Sequence, residues 1–188
     1  MAQRGVLYTV WGNFDEALLE RSLSSVEIHH PELPIEVARL PDDSTLLDKA
    51  GMLALSPFDE TLYLDADTVG LGNLNVGFEK ALRHGLACSI CECPWARRYG
   101  GLAGDMVEYN TGVLFFSEQA RPVFDAWKSA VAVLDSSIVF QNGNEMARMP
   151  LNDQAGFAKA VDDIGFPLFV LPYNWNFRPK WHKSWYGP

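Results

Sequence analysis

The first third of the chain alternates between short apolar runs and amphipathic segments. Apolar residues at strand spacing predict three strands, and Leu19, Leu23 and Val26 recur at helical spacing between the first two. A second helix is predicted before the third strand, and Ser56-Pro57 ends it. This β-α-β-α-β order predicts an α/β fold, with a mostly parallel central sheet and helices on both faces. The strands are predicted at residues 6–10, 35–40 and 61–67, and the second helix at residues 45–55.

The remainder of the chain carries similar signals. Apolar runs predict further strands, and Val123, Trp127 and Val131 lie on one stripe of a long helix. A Gly- and Arg-bearing stretch over residues 94–105 predicts a long loop, and long loops in compact domains are often functional. The strands are predicted at residues 86–91, 111–116 and 167–171, and the helices at residues 76–82, 118–134 and 151–161.

Length and composition restrict the architecture and the partners. The 188 residues suffice for one domain with its own core and are few for two. A formal charge of -9, from 15 Lys and Arg against 24 Asp and Glu, disfavours nucleic acid as a partner. No apolar run approaches the roughly 18 residues of a membrane span, and the first residues lack the apolar stretch of a signal peptide. We therefore expect a single cytoplasmic domain without a transmembrane segment.

The cysteines do not form a recognisable framework. Cys88, Cys91 and Cys93 are an odd number crowded into one short segment, which is not the pattern of a disulfide-stabilised fold. No second Cys or His pair lies nearby to complete a zinc site. Packing in a buried strand is the favoured interpretation.

The third predicted strand ends in two carboxylates, Asp65 and Asp67. Because side chains alternate along a strand, both are expected on one side, with Leu62, Leu64 and Ala66 packed on the other. The carboxyl edge of a parallel sheet is where α/β proteins bind ligands. An oxygen-only pair suits Mg²⁺ or Mn²⁺, which keeps positions free for phosphate oxygens. The pair is therefore a candidate cation site.

Three chemistries use such a segment. An EF-hand loop needs oxygen ligands at places occupied by Val69 and Val76, which excludes it. Residues 65–69 also fit the signature of haloacid dehalogenase-like phosphatases, with Asp65 as nucleophile and Asp67 as acid/base. That signature normally opens its domain, whereas a complete β-α-β-α unit precedes it here, and a downstream lysine is hard to place. The phosphatase stays an alternative.

The third chemistry is the D-x-D motif of nucleotide-sugar glycosyltransferases. Residues 56–67 (SPFDETLYLDAD), with residues 71–74 after them, resemble the core block of family 8-like glycosyltransferases of the GT-A fold. Three further blocks match in order, so the resemblance covers roughly residues 5–178. These blocks are Tyr109-Asn110-Thr111-Gly112-Val113-Leu114, Leu151-Asn152-Asp153-Gln154 and Leu171-Pro172-Tyr173-Asn174-Trp175-Asn176-Phe177.

The resemblance implies an enzyme that transfers a hexose from a nucleoside diphosphate sugar to a hydroxyl acceptor with retention of configuration. UDP-glucose or UDP-galactose is the expected donor, with Mn²⁺ or Mg²⁺ between the protein and the diphosphate. The acceptor, a saccharide, lipid or protein, is not encoded in any motif, and a lipid acceptor implies peripheral membrane contact. A non-catalytic nucleotide-sugar-binding domain is a further alternative. The single GT-A domain divides into a Rossmann-like nucleotide-binding half, a donor-sugar and acceptor half, and a tail, at residues 1–75, 76–178 and 179–188.

The resemblance also implies a set of site residues. Asp65 and Asp67 match the metal-binding motif, and Lys49 matches a basic position that contacts the donor. Asp153 and Gln154 match the catalytic pair that faces the donor sugar, although a carboxylate in a first helical turn is also favoured by the helix dipole alone. The residues matched to donor binding are Thr9, Val10, Gly12, Asn13, Lys49, Asp65, Ala66, Asn110 and Lys183.

The C-terminal tail departs from the family pattern. Relatives carry a late His that completes the metal site, often followed by a Gly and a Lys-Pro-Trp, whereas this chain ends in KWHKSWYGP. Either His182 replaces that metal ligand, or the chain stops short of it. The neighbouring Lys183 is matched to the diphosphate.

Overall fold

A computed structural model describes residues 3–91, 102, 105–142 and 145–178. Strands and helices alternate along the N-terminal part, as the sequence predicts. The strands are β1 (Arg4–Val10), β2 (Ile35–Arg39), β3 (Glu60–Leu64), β4 (Leu86–Ile90), β5 (Tyr109–Ser117), β6 (Ile138–Asn142), β7 (Glu145–Met149) and β8 (Phe169–Leu171). The helices are α1 (Glu16–His29), α2 (Met52–Leu55), α3 (Asn75–His84), α4 (Arg121–Val131) and α5 (Asp153–Ile164).

The central sheet is mostly parallel, which confirms the predicted fold class. Within the described residues it has six strands in the order β2-β1-β3-β5-β4-β8. β1 pairs in parallel with β2 and β3, and β4 pairs in parallel with β8. β5 lies between β3 and β4 and is antiparallel to both. The start of β5 therefore meets the carboxyl end of β3, and polar residues from both strands share one edge of the sheet.

Helices cover both faces of this sheet. On one face, Leu19 of α1 and Phe78 of α3 belong to the cluster around Phe115. On the other face, Trp127 of α4 and Phe157 of α5 pack at 4.9 Å between ring centroids. Within the part of the chain that the structure describes, no helix is long and apolar enough to cross a membrane.

The predicted helix over residues 45–55 differs in type. Leu46–Gly51 is a 3₁₀ helix, and only the short α2 follows it. The Thr45 side chain accepts from the Leu47 amide, and the Asp48 side chain accepts from the Thr45 amide, so a capping box fixes its first turn. This 3₁₀ helix buries Lys49, whereas the solvated face of a helix would expose it.

Two further differences from the predicted elements lie in the turn after β3 and between α4 and α5. β3 ends at Leu64, and the amide of Thr68 donates to the carbonyl of Asp65, which closes a turn. Extended alternation therefore stops before Asp67. The antiparallel hairpin of β6 and β7 was not predicted, although Gly143-Asn144, which separates the two strands in the sequence, is a hairpin signal.

Buried acids in the core predict a loss of stability at alkaline pH. Burial raises the pKa of Tyr8 to about 12 and raises the pKa values of Tyr63 and Cys88 above their usual values. The unfolded chain releases these protons near pH 8.5 for Cys and 10 for Tyr. The stabilisation is therefore complete below those values and is lost as pH rises toward the folded pKa values.

We expect the melting temperature, followed by circular dichroism, to fall steadily from about pH 8.5 to 11, because each such group contributes up to about 1.4 kcal/mol per pH unit. The Cys88→Ala variant is the control for the first part of this fall. It should lose stability more slowly between about pH 8.5 and 10 than the parent chain. Parallel curves in that range would exclude Cys88 as a cause.

Candidate active site

A buried lysine joins the acidic end of β3 to the start of α5. Lys49 is 2% exposed, and its ammonium donates to Asp65 Oδ1 at 2.8 Å and lies 3.2 Å from Asp153 Oδ2. Burial disfavours the charge, but the carboxylates of Asp153 and Asp65 outweigh burial and raise the pKa of Lys49 well above its usual value. One fixed positive charge therefore holds two carboxylates from distant parts of the chain.

Two hydroxyl groups extend this network behind Asp65. Tyr63 donates to Asp65 Oδ1 at 3.0 Å, and its oxygen lies 3.0 Å from Thr9 Oγ1. Because the single hydroxyl proton of Tyr63 goes to Asp65, Thr9 is the donor to Tyr63. Burial raises the pKa of Tyr63, so this proton stays in place at ordinary pH. Lys49 and Tyr63 therefore fix Oδ1 of Asp65, and Thr9 in turn fixes the hydroxyl of Tyr63.

Asp153 is the first residue of α5, and neighbouring groups fix its position. Thr111 donates to Asp153 Oδ2 at 2.5 Å, and the indole of Trp127 donates to the Asp153 carbonyl at 3.1 Å. The side chain of Asn152 caps the helix by accepting from the Gln154 amide at 2.8 Å. The predicted pair of Asp153 and Gln154 therefore lies in the first turn of a capped helix.

Gln154 connects the site to a second polar group. Its Nε2 donates to Glu108 Oε1 at 3.1 Å and lies 3.7 Å from Cys91 Sγ. Arg178 approaches the same sulfur at 3.3 Å. Cys91 directly follows β4 and Glu108 directly precedes β5, so Gln154 borders the end of one strand and the start of its neighbour.

Gly112 lets the side chains of Asp65 and Asn176 pack closely against β5. A Cβ atom on residue 112 would lie 2.7 Å from Asp65 Oδ2 and 3.1 Å from Asn176 Nδ2, so glycine is required there. Asn110 is buried, and its Oδ1 accepts from the Gly112 amide at 3.1 Å. Within the described part of the chain, the buried Nδ2 atoms of Asn110 and Asn176 have no hydrogen-bond partner. Since buried donors are normally satisfied, these amides are suited to oxygen atoms of a ligand.

The donor set of the D-x-D segment fits a hard divalent cation. Oδ1 of Asp65 is occupied by Lys49 and Tyr63, while its Oδ2 lies close to Gly112. Asp67 lies in the turn after β3 and is exposed. Among the described residues there is no cluster of three or more His, Cys, Asp or Glu that could enclose an ion. Two carboxylates suit Mg²⁺ or Mn²⁺ that keeps waters and takes further oxygens from phosphates.

The remaining predicted residues fall into three groups. The side chains of Thr9, Val10 and Ala66 are buried, so a nucleotide would meet mainly their backbone. Gly12 and Asn13 are exposed after β1, and Gly12 adopts a positive φ of 61° that favours glycine. His182, Lys183, the tail 179–188, Cys93 and most of the predicted loop 94–105 lie outside the described residues.

Sequence reasoning assigned no role to several residues of the network. Tyr63 lies two residues before Asp65, so strand alternation places it on the same side and could have identified it. Thr111 follows Asn110 within a motif block, and Asn176 lies within another. Glu108 had no such signal, because an acidic residue next to a loop is ordinarily solvated.

Comparisons with known proteins bear on the fold. Neither a family model nor a curated protein matches the chain. The apo form of the glycosyltransferase GlyE in Streptococcus pneumoniae TIGR4 superposes with a TM-score of 0.61 at 16% identity, over 94% of this chain and 47% of that one. Mouse xyloside xylosyltransferase 1 superposes with a TM-score of 0.61 at 15% identity, over 91% of this chain and 86% of that one. The bifunctional glycosyltransferase WbbM superposes with a TM-score of 0.53 at 10% identity, over 92% of this chain and 39% of that one.

These likenesses define the class of fold. The chain has the single-domain α/β architecture of GT-A-type glycosyltransferases, with the six-stranded sheet described above. It spans about half the length of GlyE, at 47% of that chain.

Proposed function

We propose that this protein is a glycosyltransferase that moves a hexose from a nucleoside diphosphate sugar, UDP-glucose or UDP-galactose first, to a hydroxyl group. The observation that carries the proposal is the buried Lys49, which joins Asp65 and Asp153 at the carboxyl edge of a GT-A-type sheet. Ligands of open α/β sheets bind at this edge. The likeness to the folds of GlyE and xyloside xylosyltransferase 1 supports the same class.

Each residue of the network has a role in this proposal. Asp67 and Oδ2 of Asp65 supply the protein oxygens for Mn²⁺ or Mg²⁺, and the bound cation supplies charge stabilisation at the leaving diphosphate. Lys49 holds Asp65 and Asp153 in place by its two ion pairs. The amide groups of Asn110 and Asn176, which have no partner among the described residues, donate to oxygens of the bound sugar nucleotide. The site therefore offers oxygens to the cation and N–H groups to the donor.

Asp153 and Gln154 face the reacting sugar in this arrangement. The carboxylate of Asp153 stabilises the positive charge that develops on the sugar ring as the diphosphate leaves. Lys49 and Thr111 both contact its Oδ2 and hold it in place. The resemblance implies retention by one of two routes. In the first, the leaving diphosphate assists the incoming hydroxyl from the same face, and no separate base is needed; the second passes through a covalent intermediate on a carboxylate or amide near Asp153 and Gln154.

The proposal specifies the acceptor by its reacting group. The acceptor is a hydroxyl group of a saccharide, lipid or protein. A cytoplasmic location, which the sequence predicts, stays a prediction.

A thermal-shift panel tests the proposed donor. UDP, GDP, their sugars and CMP-sugars are added with and without Mn²⁺, because a ligand that binds the folded state raises the melting temperature. We expect the largest rise with UDP-sugar and Mn²⁺ together. Phosphate release from a phosphomonoester such as p-nitrophenyl phosphate, without a response to UDP, would instead support the phosphatase. Donor binding without hydrolysis or transfer would support the alternative of a non-catalytic nucleotide-sugar-binding domain.

The Asp67→Asn variant should lose metal-dependent donor binding and keep its fold. Asp67 is exposed, so the substitution removes a charge from the surface without disturbing the core. Asp65→Asn differs, because it also removes a partner of buried Lys49 and should lower stability. Titration calorimetry with UDP and Mn²⁺ measures the effect, with the exposed Asp43→Asn as control. Undiminished binding by Asp67→Asn would remove Asp67 from the cation site.

A further inference from the structure

Helix α1 presents buried polar side chains to the loop that follows the D-x-D motif. Ser22, Ser25 and His30, directly after the helix, are 0%, 8% and 2% exposed. The equivalent face of a surface helix normally carries apolar residues against the core. Buried polar groups of this kind are costly unless their hydrogen bonds are made, so their partners define their role.

Ser25 holds the loop at Gly70. Its hydroxyl donates to the Ser22 carbonyl at 2.6 Å and accepts from the Gly70 amide at 2.8 Å. With both contacts made, the direction of the hydroxyl is fixed. The neighbouring Ser22 hydroxyl lies 2.9 Å from Tyr8 OH and 3.4 Å from Thr68 Oγ1. Ser25 thus connects the third turn of the helix to the loop backbone.

His30 holds the same loop at its far end. Its Nε2 accepts from the Leu74 amide at 2.8 Å, so Nε2 carries no proton. The proton is on Nδ1, which donates to Glu32 Oε1 at 2.8 Å. One tautomer therefore satisfies both ring nitrogens, and Leu74 precedes helix α3 directly.

Asp67 lies between two fixed points. On one side, Asp65 is held by Lys49 and Tyr63. On the other side, the loop amides of Gly70 and Leu74 donate to Ser25 of α1 and to His30 directly after it. Asp67 has no comparable attachment among the described contacts, so its position follows from these neighbours. Hydrogen bonds to backbone amides fix distance and direction, which apolar packing alone does not.

We propose that Ser25 and His30 are positioning residues that hold the loop of residues 68–74 so that Asp67 faces the cation and diphosphate of the donor. This proposal rests on the proposed function. It assigns α1 a role in donor binding although neither side chain reaches the donor. Groups outside the first layer of metal ligands commonly change metal affinity about 10–100-fold when they are removed.

The test compares buried residues with their exposed neighbours on the same helix. Ser25→Ala is matched by Ser24→Ala, and His30→Ala by His29→Ala, since Ser24 and His29 are exposed. Mn²⁺ affinity in the presence of UDP is measured by electron paramagnetic resonance, well below each melting temperature. We expect Ser25→Ala and His30→Ala to weaken Mn²⁺ binding about 10-fold and the matched variants to leave it unchanged.

Two further measurements separate positioning from a structural role. Deuterium uptake at the amides of Gly70 and Leu74 reports whether the bonds are lost, and Ser25→Thr or His30→Gln, which keep an acceptor, should restore Mn²⁺ affinity. Faster uptake with unchanged Mn²⁺ affinity would overturn the proposal, as would failure of both conservative variants to restore binding. If the parent chain binds no Mn²⁺ in the presence of UDP, the proposed function itself fails. This outcome is distinct from those that overturn only the positioning role of Ser25 and His30.

Discussion

The Lys49→Met variant should lower the free energy of unfolding by about 3–5 kcal/mol, because it leaves buried Asp153 without its cationic partner. Typical domains are stable by only about 5–15 kcal/mol, so this is a large fraction of the total. Methionine has a similar length and flexibility, and the change therefore removes the charge more than the volume. Urea denaturation followed by circular dichroism measures the loss.

Lys159→Met is the matched control for this variant. Lys159 pairs with Asp163 on the surface of α5, and its side chain is 35% exposed. Exposed pairs contribute at most about 1 kcal/mol, so the control should differ little from the parent chain. A second substitution, Asp153→Asn in the Lys49→Met background, should recover part of the stability because the unpaired charge is gone. Equal midpoints for Lys49→Met and Lys159→Met would contradict the ion network.

Asp153→Asn should reduce turnover about 100-fold or more while donor affinity changes less than about threefold. Loss of a group that stabilises developing charge typically costs 10²–10³ in kcat. Asparagine retains an oxygen for Thr111 and Lys49, so the network loses charge and keeps its shape. Initial rates of sugar transfer give the turnover, and calorimetry with UDP-sugar and Mn²⁺ gives the donor affinity.

Asp163→Asn is the control at the other end of the same helix, where the carboxylate is exposed. It should retain both turnover and donor affinity. Equal losses of the two quantities in Asp153→Asn would place Asp153 in donor binding and not in the reacting step.

The fold was largely predictable because its signals are local. Apolar runs identified the strands of the central sheet, and their alternation with helices in the first half predicted parallel pairing. The C-terminal boundary of α5 follows from Gly165, which ends the helix at a φ of 62°. The antiparallel placement of β5 was not predictable in this way, because it depends on pairing with strands that are distant in the chain.

The candidate site was predictable in its residues and not in its contacts. Asp65 could be placed at an edge because residues 62–64, which precede it in β3, form an apolar run. The burial of Lys49 could not be predicted, since both of its carboxylate partners come from other elements. Ser25 and His30 resemble ordinary polar residues of a surface helix, and only the position of the loop after β3 shows that they are buried.

The insertion of β5 between β3 and β4 also determines when the site can form during synthesis. β3 and β4 leave the ribosome first, yet they are not adjacent in the sheet, and each pairs with β5. Until residue 117 has emerged, β3 has an exposed edge, which is a surface prone to wrong pairing. Distant pairing of this kind slows folding and prolongs exposure of such edges. The strand that brings Asn110, Thr111 and Gly112 to the site is thus also the one that joins β3 to β4, and the site is complete only after α5 adds Asp153 and Gln154.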